Sequence, residues 1–379
     1  MKSSKKSVVI LGTAYPLRGG LANYNERLAL AYQQAGWDVK ILTFSLQYPN
    51  FLFPGKTQYS EESAPKGLDI EVVLNSVNPL SWIKVGNRIR KMKPDLLITK
   101  FWIPFIGPSL GTVARIAKRN RKTKVISIID NIIPHENRPG DKLLANYFVK
   151  AVDGFICMSQ AVLDDLETFD KTKPKIFTPH PVYDNFGQPI DKLVAKKELK
   201  LDADTPYLLF FGFIRDYKGL DLLLEAMADE RIRKSNIKLI VAGEYYSDKQ
   251  YYLDIIEKNK LSDKLVLATD FIPDSKVGLY FNACDLVVQP YKTATQSGVT
   301  QIAYHFEKPM VVTNVGGLPE IVPHLKTGYV VEVEPKSIAD AILDFYANNR
   351  EEAMKENCRT EKVKYSWETL LDRMAKLFN

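Results

Sequence analysis

Three cysteines in 379 residues, Cys157, Cys284 and Cys358, are too few and too scattered for a disulfide framework or a zinc cluster. They read as packing residues. No apolar run reaches the roughly 18 residues of a membrane-spanning helix. The opening stretch from Met1 to Ser7 is basic, but Val8-Val9-Ile10-Leu11 stops at Gly12, too short for a signal-peptide core, so a cytoplasmic location is expected. No G-x-G-x-x-G dinucleotide fingerprint follows that first strand. No nucleic-acid module accompanies the positive charge, and no nucleic-acid partner is expected. Disorder is excluded as well, because 45% hydrophobic content over this length supports two or three folded domains.

What the chain does have is charge, unevenly divided. Residues 1–180 hold 26 Lys and Arg against 15 Asp and Glu, a balance of +11; the remainder holds 26 against 30, or −4. Much of the excess sits in Arg88-Ile89-Arg90-Lys91-Met92-Lys93 and from Arg115 to Lys124, on either side of Phe101-Trp102-Ile103-Pro104-Phe105. A basic face beside an aromatic segment suits an anionic membrane surface or a lipid-linked acceptor. A solvated helix face beside a buried loop would carry the same residues.

The stretch from Leu208 to Met227 organises the second half. Tyr207 to Phe211 is an unbroken apolar run that ends at Gly212, as a buried strand does. Leu220, Leu223, Leu224 and Met227 then recur at helical spacing. Between them lie Arg215 and Lys218, flanked by glycines. A helix start with two cations is suited to an anion such as a diphosphate. An ordinary strand-to-helix turn with solvated side chains has the same residue types.

In chain order, strands are expected at 8–11, 39–44, 70–74, 96–99, 124–129, 154–158 and 175–178, with helices between most of them. Gly19-Gly20 opens the first helix, where missing Cβ atoms let backbone approach a ligand. Residues 45–65 form a long loop rich in Tyr, Phe and Pro, a length that is usually functional. Polar residues gather at two strand ends: Asp130-Asn131 with Pro134-His135-Glu136, and Pro179-His180-Pro181. Such histidines are as often structural as catalytic. From 183 to 205 the text turns polar and reads as a linker. Strands resume at 207–211, 237–242, 265–267, 286–289, 310–313 and 329–331. This alternation predicts an α/β protein of two doubly wound Rossmann-like domains facing across a cleft, 1–185 and 186–363, with a final helix in 364–379 returning to the first.

The ordered set Gly19-Gly20, Arg215-x-x-Lys218-Gly219, Ala242-Gly243-Glu244, Phe271-Ile272-Pro273, Ser297-Gly298, and Lys308-Pro309 leading into Val315-Gly316-Gly317-Leu318-Pro319-Glu320 resembles the family 4 retaining glycosyltransferases of GT-B fold. The resemblance covers nearly the whole chain. It implies a hexosyltransferase-type enzyme taking a nucleotide-sugar as substrate, with no cofactor and no metal, acting on a glycan or lipid-linked acceptor in bacterial cell-surface polysaccharide synthesis. The resemblance assigns the donor diphosphate to Arg215 and Lys218, with Gly19 and Gly20 approaching it. It places Gly212, Glu244, Gln296, Ser297, Gly298, Val299 and Thr300 around the donor, Phe271 and Ile272 beside the base, and Glu320 at the donor side. Asp130 would polarise the acceptor hydroxyl, with Asn131, His135 and His180 as sugar or acceptor candidates.

The chain departs from the pattern at two places. The family's Glu-x7-Glu pair falls here on Ala294 and Ile302, leaving Gln296 or Gln301 as neutral substitutes. The His that often precedes the strand-end Asp is Ile129. The missing glutamates suggest a second reading, a GT-B homologue acting as a binding or scaffold partner; a third is a two-domain α/β enzyme acting on a nucleotide-sugar without an acceptor, such as an epimerase or hydrolase.

Overall fold

The computed structural model describes residues 5–49, 57–134 and 138–378. The chain divides into two compact units, Met1–Pro179 with Trp367–Asn379, and His180–Ser366.

The first unit holds strands β1 (Ser7–Leu11), β2 (Asp38–Leu46), β3 (Ile70–Asn75), β4 (Leu96–Phe101), β5 (Lys124–Ile129), β6 (Gly154–Cys157) and β7 (Lys175–Phe177). They form one sheet in the order β3-β2-β1-β4-β5-β6-β7. Each pairing is parallel. Runs such as Val8-Val9-Ile10-Leu11 are buried because helices cover both faces of a parallel sheet. Here β1 pairs with β2 on one side and β4 on the other, so the winding direction switches between β1 and β4. A doubly wound sheet leaves its ligand crevice at that switch, beyond the carboxyl ends of the strands.

The second unit repeats the plan with β8 (Tyr207–Phe211), β9 (Lys238–Ala242), β10 (Leu265–Ala268), β11 (Leu286–Gln289), β12 (Met310–Thr313) and β13 (Gly328–Val331). Its order is β10-β9-β8-β11-β12-β13, and its switch point lies between β8 and β11. Two α/β units of this kind are the architecture expected from the alternation of strands and helices.

Two sequence expectations are modified. The polar stretch 183–205 is not a plain linker, since it contains the helix Lys192–Glu198, capped by Asp191. That helix buries only Ala195 and the stem of Lys196, too little to give a hydrophobic period. The units divide at 179/180 and 366/367 rather than at 185/186 and 363/364. Residues 180–186 pack within the second unit: the His180 and Tyr183 rings meet at a tilt with centroids 4.8 Å apart, those of Tyr183 and Phe186 at 5.8 Å, and a Cβ at Gly298 would stand 3.0 Å from the Tyr183 ring. The helix Trp367–Ala375 belongs to the first unit, where Trp367 meets Tyr24 and Met374 meets the Tyr32 hydroxyl on the helix Gly20–Gln34.

The three cysteines are free and buried, as packing residues are. Among the described residues, no helix is long and apolar enough to cross a membrane.

Candidate active site

In the second unit, β8 runs out at Gly212, whose φ of +97° favours glycine. A short turn over Asp216–Lys218 then leads to Gly219, at φ +67°, and the helix Leu220–Met227. Gly219 is required for a second reason, since a Cβ there would lie 1.9 Å from the Pro290 carbonyl oxygen. The loop after β8 is thus pressed against the loop after β11. The Lys292 amide donates to the Tyr217 carbonyl at 2.7 Å, and the Tyr217 and Tyr291 rings meet edge to face.

Three cations line these loops, and their surroundings separate their roles. Lys292 Nζ is 2.8 Å from Asp216 Oδ1 and 2.9 Å from Asp221 Oδ2, and these partners raise its pKa above the usual lysine range against the cost of burial. It is a staple. Lys218 meets no carboxylate among the described residues; burial, then repulsion from Arg215, push its pKa down to about 8. Its Nζ rests 5.7 Å from the Tyr291 ring centroid, and the Arg215 guanidinium lies 5.2 Å from that of Tyr246. Two cations held by aromatic faces, without an acid to neutralise them among the described residues, present net positive charge at a strand end beside the switch point.

The helix Gly298–His305 brings its first turn to the same place. A Cβ on Gly212 would be 3.0 Å from Lys218 Nζ and 3.8 Å from Val299 Cγ2. Ser297 stands at the N-cap without a side-chain capping bond, its hydroxyl 3.2 Å from that of Tyr291. The first amides of this helix therefore lack a side-chain acceptor from Ser297. Thr300 turns inward and donates to Gln289 Oε1 at 3.0 Å. Gly316, at φ +49°, packs its Cα against the Ala294 carbonyl so closely that a Cβ would be 1.5 Å from that oxygen.

The remaining donor-side candidates are spread around this centre. Glu244 is buried beyond β9, while Phe271 and Ile272 are half-buried beyond the edge strand β10. Glu320 is exposed on the four-residue helix Leu318–Ile321. At the departures from the family pattern, Ile302 is packed in the core. Its neighbour Gln301 is 1% exposed, and its Oε1 has no hydrogen-bond partner among the described residues.

In the first unit, Gly19 has φ +99° and open space where a Cβ would point, and Gly20 begins the helix Gly20–Gln34. The loop after β1 is held by that helix: Asn25 Nδ2 donates to the Thr13 carbonyl at 2.8 Å and the Tyr15 amide to Glu26 Oε1 at 2.7 Å. Asp130 follows β5, where its Oδ1 is 2.7 Å from Lys100 Nζ at the end of β4. Lys100 was not among the residues singled out from sequence. The signal was a charged residue inside the apolar run Leu96-Leu97-Ile98-Thr99-Lys100-Phe101. Asn131 is half-buried next to Asp130; His135 lies outside the described residues. His180 belongs to the second unit, buried, with Nδ1 2.6 Å from the Pro181 carbonyl oxygen and its ring on Tyr183.

Two doubly wound units, one with a basic strand-end loop, are the architecture of GT-B proteins, and the comparisons supply the family. The Glycosyltransferase Family 4 pattern matches residues 18–184 and the Glycosyl transferases group 1 pattern residues 191–361. The chain belongs to the family 4 glycosyltransferases of GT-B fold. It is 23% identical over 83% of its length to a D-inositol 3-phosphate glycosyltransferase of Pseudarthrobacter chlorophenolicus, spanning 78% of that protein. It is 32% identical over 48% of its length to the lipopolysaccharide 1,2-N-acetylglucosaminetransferase of Salmonella typhimurium, spanning 50% of that protein. Among solved structures, sucrose-phosphate synthase of Thermosynechococcus elongatus superposes with TM-score 0.74 at 18% identity, covering 98% of each chain. The Anabaena HepE protein in complex with UDP and glucose gives 0.71 at 16%, covering 98% of this chain and 99% of that one.

Proposed function

We propose that this glycosyltransferase moves a sugar from a nucleotide-sugar donor to a glycan or lipid-linked acceptor in bacterial cell-surface polysaccharide synthesis, with retention at the anomeric carbon and without a bound metal. One observation carries the reading: Arg215 and Lys218, side by side at the end of β8, meet no carboxylate among the described residues. In the ground state a nucleotide diphosphate supplies the missing negative charge. As the glycosidic bond breaks, further charge develops on the departing phosphate, and two fixed cations beside the first turn of Gly298–His305 stabilise it where it forms. Asp130 is the polar group at the end of β5 that meets the acceptor hydroxyl.

The acceptor class is supported by the outer surface of the first unit. Val77, just before the helix Pro79–Met92, and Leu80 and Ile83 in its first turns are exposed, with Lys84 and Lys91 exposed further along it. In a parallel sheet that helix starts at the carboxyl end of the strands, the end that carries Asp130. Apolar residues with flanking lysines suit peripheral contact with an anionic membrane. The lipopolysaccharide enzyme among the relatives supports the same class.

Loss of both pattern glutamates, at Ala294 and Ile302, favours a second reading, a homologue that has kept the fold as a scaffold. Thermal unfolding with saturating UDP, GDP, dTDP or CMP separates the two. A ligand at about 100 times its dissociation constant adds about 2.7 kcal/mol, a shift of a few degrees for a chain of this size. A shift with one nucleotide that disappears in Arg215→Ala is the expected outcome; no shift with any of them hands the chain to the scaffold reading.

A further inference from the structure

Lys100 is 3% exposed, and a buried ammonium is expensive unless something answers it. Burial holds its pKa below the ordinary lysine range in spite of the attraction of Asp130. β4 and β5 pair with Lys100 opposite Ile128, so strand alternation puts Lys100 and Asp130 on one face of the sheet. The contacts extend beyond the pair. Lys100 Nζ stands 3.7 Å from the centroid of the Tyr24 ring, whose centroid is 5.2 Å from that of Trp367. The guanidinium of Arg27 lies 5.1 Å from the Trp367 ring centroid. A carboxylate, an ammonium, two aromatic rings and a guanidinium follow one another from the strand end to the helix Trp367–Ala375.

We propose that Lys100 is a positioning residue for Asp130, and that the C-terminal helix takes part by seating Tyr24 beneath the Lys100 ammonium through Trp367. This rests on the reading of Asp130 as the group that meets the acceptor hydroxyl. The physical case is that a packed apolar side chain would serve stability at least as well as a buried ion pair. What an ion pair adds is direction: the bond from Nζ fixes where Oδ1 lies, and the Tyr24 face fixes where Nζ lies. An error of about 1 Å in such a group costs on the order of a hundredfold in rate.

The test uses the full chain and measures nucleotide release from UDP-glucose, UDP-galactose, UDP-N-acetylglucosamine and GDP-mannose with water receiving the sugar in place of the acceptor hydroxyl, continuing with the one that wild type cleaves fastest. Lys100→Met is expected to lower kcat about a hundredfold, the scale of a lost proton-handling group, while KM for the donor stays within about twofold. Lys100→Arg should recover part of the loss, and Tyr24→Leu should lower kcat without touching either charge. A folded Lys100→Met with wild-type kcat overturns the proposal, as does a loss shared equally between kcat and donor affinity. Should Lys100→Met fail to fold, Tyr24→Leu decides alone, and unchanged kcat in it is fatal. Asp130→Asn tells the two readings apart. If it is fully active, the role of Asp130 is wrong; if it is inactive while folded Lys100→Met and Tyr24→Leu are active, only the positioning claim falls. Wild type that releases nucleotide from none of the four overturns both.

Discussion

Lys218 Nζ stands 3.0 Å from the point that a Cβ on Gly212 would occupy. The glycine is therefore a seat for the ammonium as well as a left-handed turn. Gly212→Ala is expected to cost roughly 1–2 kcal/mol in backbone strain and to push Lys218 from its place, weakening UDP binding about tenfold while the protein still folds. Calorimetric titration with UDP and a melting curve check both halves. Gly316→Ala provides the contrast: its Cβ would be 1.5 Å from a backbone oxygen, and the neighbouring loop has to move. That variant should lose stability heavily.

Lys218→Met should bind UDP between about tenfold and a hundredfold more weakly, the equivalent of one charge-assisted hydrogen bond. The same change should raise the melting temperature at neutral pH. Lysine titrates at 10.5 in the unfolded chain and Lys218 at about 8 in the folded one. Between those values the unfolded state holds the proton and the folded state does not, so stability rises with pH; below about 8 both states hold it and the whole penalty remains. Removing the charge relieves on the order of 1–2 kcal/mol after solvent screening is discounted. A melting temperature that falls instead would show Lys218 to be a structural residue.

Donor affinity should carry the same signature in reverse. A diphosphate binds the charged ammonium, so the UDP dissociation constant should be flat between about pH 7 and 8, where UDP holds its full charge, and climb up to tenfold per pH unit above about 8, where free Lys218 loses its proton. Titrations across that interval read the slope directly. In Lys218→Met the slope should vanish.

Vesicle sedimentation addresses the exposed start of the helix Pro79–Met92. Binding to phosphatidylglycerol-rich vesicles should exceed binding to phosphatidylcholine and fall with added salt. Exchanging Lys84 and Lys91 for Glu should remove most of that preference, at about 1 kcal/mol per reversed or lost cation near the surface. Leu80→Asp with Ile83→Asp should weaken binding at every salt concentration. Equal binding by all three proteins would remove this surface from consideration.

The strands were legible because buried parallel strands are short apolar runs ended by glycine or polar residues, as at Tyr207–Phe211 before Gly212. The loop with Arg215 and Lys218 was legible for the same reason, since it lies between a strand and a helix that both announce themselves. Three features were not. The helix Lys192–Glu198 buries almost nothing and so left no period. Lys100 gains its meaning only from register, because Asp130 lies 30 residues later and becomes a neighbour through the pairing of β4 with β5. Tyr183, filling the space over Gly298, depends on where the chain passes from one unit to the other. Local pattern encodes elements; it does not encode which element ends lie together.

The return of Trp367 to the helix Gly20–Gln34 bears on how the protein is made. The first unit is interrupted after Pro179, and its last piece resumes only at Trp367, with the whole of His180–Ser366 between. At a translation rate of about 5–20 residues per second, the ribosome needs roughly 10 to 40 s to cover that gap. For that interval Tyr24 and Tyr32 wait without Trp367 and Met374, leaving apolar surface on the nascent chain that chaperones and proteases can read before the final helix arrives.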